Sequence, residues 1–65
     1  MTDFRRIEKA KRQAQRQADL DGGTWCVVEF PGHCVVRPQR RARNLILKHP
    51  ECKIAAVVEP AVRHD

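Results

Sequence analysis

The sequence predicts an α+β domain: an N-terminal helix, then a ββαβ unit whose three strands form an antiparallel sheet in the order 2-1-3 with one helix packed on it. Three observations lead there. Two runs rich in β-branched and aromatic residues flank the turn dipeptide Pro31-Gly32. An apolar pattern of helical period follows Pro38, and a third β-branched run ends at Pro60. The 65 residues allow one domain, 1–65, made of a basic N-terminal helix over 1–21 and a ββαβ core over 24–60.

From Asp3 to about Leu20, strong helix formers dominate: Ala, Gln, Arg, Lys and Glu. Thr2 or Asp3 can cap the start. Glu8 stands four residues before Arg12, the favourable order for an ion pair on a helix. Asp21-Gly22-Gly23 ends the segment, with glycine where a left-handed C-terminal residue is wanted. Phe4, Ile7, Ala14 and Ala18 mark a thin apolar face that Lys11 interrupts. So narrow a stripe predicts a helix that packs only at its ends or becomes ordered on a partner.

Thr24–Phe30 and His33–Arg37 read as the two strands of a hairpin. Pro fixes φ in the turn, and Gly tolerates the positive φ that follows. Alternation places Trp25, Val27, Cys34 and Val36, with Glu29, on one face. Cys26, Val28, Phe30 and Val35, with His33 and Arg37 toward the ends, take the other. Both faces are largely apolar, whereas a solvated face would be polar at every second residue.

Pro38 suits the first turn of a helix that runs to Lys48. Ala42, Leu45, Ile46 and His49 fall on one side of it, and Pro50 stops it. Lys53–Glu59 is the third strand, followed by a short frayed tail, 61–65. The link from strand two through the helix is a crossover expected to be right-handed, and if strand three lands beside strand one the two run antiparallel, in the order 2-1-3. That helix can cover one face of the sheet. The other needs the N-terminal helix, a second copy of the chain or a partner, and the thin stripe favours the last two.

Thirteen Lys and Arg against eight Asp and Glu give a formal charge of +5. Such a balance suits an anionic partner: nucleic acid, an acidic protein surface or anionic lipid. No charged and apolar leader opens the chain, and no apolar run reaches the ~18 residues of a membrane span. The odd cysteine count, Cys26, Cys34 and Cys52, fits free thiols in a reducing cytoplasm better than a disulfide framework.

The densest charge is Arg37-Pro38-Gln39-Arg40-Arg41-Ala42-Arg43, followed by Lys48 and Lys53 with only Glu51 as a counter-charge. Arg5, Arg6, Lys9, Lys11, Arg12 and Arg16 form a second cluster on the first helix. The planar arginine fork donates two parallel hydrogen bonds to phosphate or carboxylate. Arg40, Arg41 and Arg43 are therefore the first candidate contact group, with Arg37 and Lys48 beside them. Arg5, Arg6 and Arg12 come second. The plain alternative is a solvated basic face. No helix-turn-helix pattern, RNA-recognition consensus or GXXG clamp is present, and the few aromatics, Phe4, Trp25 and Phe30, suit the core.

Other chemistry finds little footing. Candidate metal ligands are Cys26, His33, Cys34, His49, Cys52 and His64, but no two pairs share the usual spacing and neighbours on a strand diverge. No metal or other cofactor is expected. Cys34 or Cys52 with His33 or His49 lacks an orienting group and an oxyanion hole. Glu29 and Glu59 could approach across strands one and three, with no cleft to shift a pKa. A basic helix carrying only Phe4 and Ile7 is too weakly apolar to hold a membrane. The expectation is a non-catalytic binding protein.

The small size and the hairpin–helix–strand plan over Trp25–Glu59 resemble small phage-encoded inhibitors, a group that includes anti-CRISPR proteins and inhibitors of bacterial RNA polymerase. The resemblance covers about half the chain and rests on architecture. It implies a stoichiometric binder, in the cytoplasm of a bacterial host, that docks on a protein complex of nucleic-acid metabolism or defence. The basic charge sets this chain apart from inhibitors that mimic DNA with acidic surfaces. Two other readings use the same residues differently: direct, low-specificity DNA or RNA binding through the arginine clusters, and a small structural module that forms a homodimer through an uncovered sheet face.

Overall fold

The computed structural model describes residues 4–61, with the side chain of Phe4 left aside. Its elements are α1 (Phe4–Asp21), β1 (Trp25–Phe30), β2 (His33–Pro38), α2 (Gln39–Lys48) and β3 (Lys53–Val58). The sheet has the order β2-β1-β3, with both pairings antiparallel. The fold class is thus as the sequence predicts. The capping residues Thr2 and Asp3, the tail beyond 61 with its His64, and the place of Phe4 in the stripe lie outside the described side chains.

The hairpin joins Phe30 to His33 directly. Pro31 in the first central position and Gly32 at φ 88° in the second are what a type II turn requires. Register puts Val27 opposite Val36 and Val28 opposite Val35. Between β1 and β3 the register shifts: Val27 faces Ala56 and Val28 faces Ile54, so Ala55 is the extra residue of a β-bulge.

The sheet separates two cores, and the partition follows the alternation read from the sequence. On one side Cys26, Val28, Ala42 and Cys52 pack with Phe30, Val35, Leu45 and Ile46, under α2. On the other Ala10, Ala14 and Val27 pack with Trp25, Cys34, Val36, Ala55, Ala56 and Val58, under α1. So α1 covers the second face of the sheet, where the thin stripe had favoured a second copy or a partner. The stripe read from the sequence holds for Ile7, Ala14 and Ala18 but lacked Ala10. It runs through Ala10, Ala14 and Ala18, all buried, with Ile7 half-buried. Residues four apart stack on one side of a helix, and methyl side chains let its backbone approach the sheet closely. Lys11 lies outside this stripe and pairs with Glu8 at 3.6 Å, so Glu8 finds Lys11 and not Arg12.

The ends of the elements are fixed by specific bonds. Gly22, at φ 74°, donates its N–H to the Ala18 carbonyl at 2.7 Å and closes α1 as a left-handed C-terminal residue. Pro38 is the last residue of β2 and the cap of α2, not its first turn: its ψ of 151° is extended, and the helix starts at Gln39. The Gln39 N–H reaches the Thr24 carbonyl at 3.0 Å, so α2 is anchored to the start of β1. His49 leaves the helix at ψ 81°, as a residue before proline should. Cys52 then returns under it, with its N–H and its thiol both donating to the His49 carbonyl, at 3.1 and 2.8 Å.

Candidate binding surface

All eight arginines and lysines named as contact residues are exposed, but they do not form one patch. The two helices lie on opposite faces of the sheet, so Arg5, Arg6 and Arg12 look away from the α2 cluster. Arg6 also donates to the Gly32 carbonyl, tying the start of α1 to the hairpin turn.

Along α2 the first contact group splits as well. Arg41 joins Arg37 of β2 and Lys48 on one flank, around a groove of about 200 Å³ completed by Asn44 and Leu45. Arg40 and Arg43 join Gln39, Asn44 and Leu47 on the outer surface and other flank, around a groove of about 440 Å³. The reason is helix periodicity. Residues 40, 43 and 47 share one side, while 41, 44, 45 and 48 share another. Pairing Arg41 with Arg40, as sequence adjacency suggests, overlooks a rotation of about 100° per residue.

Leu47 is the feature that sequence reasoning missed. It is 82% exposed, between arginines, on a helix whose ten residues carry no acid. It sets one apolar side chain among the polar and charged residues of that groove. Its signal was present: Leu47 falls outside the Ala42–Leu45–Ile46 side of the helix.

A third groove, of about 530 Å³, runs between α1 and β2. Gln13, Arg16, Gln17, Trp25, Val36 and Arg37 line it. It brings together Arg16 and Arg37, which belong to different clusters in the sequence. Trp25 lies at its base, and its indole N–H is buried without a hydrogen-bond partner. No pattern in the chain foretold this, because it depends on the lateral position of α1 over β2.

The remaining chemistry-bearing residues are dispersed or structural. Glu29 is held by Lys53 at 3.5 Å and does not meet Glu59. Phe30 stacks on His33 at 4.8 Å and meets His49 edge-on at 5.8 Å, while His49 lies 3.3 Å from Glu51. Cys26 and Cys52 belong to one core and Cys34 to the other. Burial pushes the Cys26 thiol up, away from the reactive thiolate. Among the described residues, no group of three or more His, Cys, Asp or Glu converges as metal ligands would. No helix among them is long and apolar enough to cross a membrane.

No protein-family model, curated protein or solved structure matches the chain.

Proposed function

We propose that this chain is a non-catalytic binding protein that docks α2 into an acidic groove of a larger protein, in the manner of a small inhibitor of a bacterial complex handling nucleic acid. The observation that carries the reading is Leu47, exposed among Arg40, Arg43 and Asn44. An exposed apolar side chain flanked by two arginines fits a protein interface, where arginine is enriched and among the residues that carry most binding energy. Single-stranded nucleic acid would instead call for exposed aromatic platforms. Trp25 and Phe30, the aromatics with described side chains, are half-buried.

A second reading, direct nucleic-acid binding, is favoured by the complete lack of acid along α2. One experiment separates the two: capture of partners from nuclease-treated bacterial lysate by the wild-type chain, Leu47→Asp and Arg40→Glu/Arg43→Glu. Docking on protein predicts a stoichiometric complex that survives nuclease and is lost with either variant. A complex that disappears on nuclease treatment, together with generic duplex binding that falls steeply with salt, establishes the second reading in its place.

A further inference from the structure

β3 is an edge strand, paired only with β1. Its side chains do not alternate strictly, because of the bulge. Lys53 lies on the α1 side, bound to Glu29. Ala55, Ala56 and Val58 also pack on the α1 side. Ile54 and Val57, opposite Val28 and Cys26, lie on the α2 side. They fall outside the group packed under α2 and remain 38% and 57% exposed.

Read from either end, the pattern of sides from Lys53 to Val58 is the same: α1, α2, α1, α1, α2, α1. A strictly alternating strand of six residues lacks this property, since reversing it exchanges the faces. In an antiparallel pair, directly opposed residues must share a face. The bulge therefore lets the whole of β3 pair with a second β3 about a two-fold axis normal to the sheet. Ile54 then lies opposite Val57 of the second copy, Ala55 opposite its Ala56, and Lys53 opposite its Val58. Like charges do not meet: the two Lys53 residues stand five positions apart along the seam, about 17 Å. The other sheet edge is closed to such pairing by Pro38, which has no N–H to give, and by the charge of Arg37.

We infer that the β3 edge is a homodimer seam, in which two chains form one six-stranded sheet in the register Ile54 to Val57. The occupant is a second copy because the strand is complementary to itself in both facing and charge. Its exposed Ile54 and Val57 each find an apolar residue on the same face. The two-fold axis leaves both α2 helices on one face of the joined sheet, so the docking helix is presented twice. The seam is short, which places the dimer among weak, concentration-dependent associations.

Sedimentation equilibrium from micromolar to millimolar protein tests this. A reversible monomer–dimer equilibrium is expected. Ile54→Lys alone and Val57→Glu alone should each raise the dissociation constant about tenfold or more, by facing a charge with an apolar residue. The combined variant Ile54→Lys/Val57→Glu should restore the dimer, since each new lysine then faces the other chain's new glutamate. Circular dichroism checks the fold of each variant. A wild-type chain that stays monomeric throughout overturns the seam, as does a dimer indifferent to both single changes, or a combined variant no better than the singles. Amide exchange on the unaltered chain gives a second reading: protection of β3 must rise with concentration while that of β2 does not.

Discussion

The two faces of the sheet are covered in opposite ways. α1 is long, 18 residues, and packs Ala10 and Ala14 with residues of β1, β2 and β3, with Ala18 buried one turn further on. α2 is short, 10 residues, and fills its side with larger groups, Leu45 and Ile46 around Ala42. The first covers its face by close approach and length, and Ala55, Ala56 and Val58 of the far strand are packed beneath it. The second covers mainly β1 and β2 and leaves Ile54 and Val57 open. Coverage of a small sheet is thus set less by how apolar a helix looks than by how far it reaches and how near it comes.

This contrast is sharpest where methyl groups meet the sheet. Ala14→Leu should destabilise the fold by about 3 kcal/mol, the upper end of the overpacking range, because α1 must lift along its length. The thermal or urea midpoint measures it. If Ala42→Leu costs as much, the two interfaces are equally tight and the contrast fails. A smaller and more even effect belongs to the valines at the centre. Val27→Ala and Val28→Ala should each cost about 2 kcal/mol, one in each core, since both side chains are fully buried. A large inequality between them would show that one core carries most of the stability.

The smallest expected effect is a pH dependence confined to the α2 side. The Cys26 thiol is raised by burial, so the unfolded chain loses that proton first. Its contribution to stability is whole below the ordinary thiol range and is lost as pH climbs through it. A Cys26→Ala variant should therefore lose less stability than the wild type between neutral and alkaline pH. Parallel curves for the two proteins would remove Cys26 from the account.

The sheet was legible in the chain because its signals are local and strong. Two-residue alternation, the Pro31-Gly32 turn and the helix between Pro38 and Pro50 mark the elements, and a right-handed crossover leaves few compact ways to order the strands. The seat of α1 was legible only in part. Ala14 and Ala18 were readable beside Ile7 as one face, but Ala10 was not, and alanines carry almost no hydrophobic signal to show how firmly that face would pack. Their value lies in small volume, which matters only once a sheet is there to approach. The binding surface shows the same division. Exposure of the arginines was readable, and so was their division around α2 from helix periodicity. The meeting of Arg16 with Arg37, and the bulge at Ala55, exist only in the assembled fold.

One polar detail bears on the order in which the molecule is completed. Gln15 donates to the Glu59 carbonyl at 3.0 Å, and the Ala61 N–H donates to the Asp19 carboxylate at 2.8 Å. These bonds fasten the second half of α1 to the chain where it leaves β3, across more than 40 residues of sequence. They cannot form until Glu59 and Ala61 have been made. On the ribosome, α1 is therefore fastened at its second half only after β3 has been made, and a chain cut before Glu59 would lack both bonds.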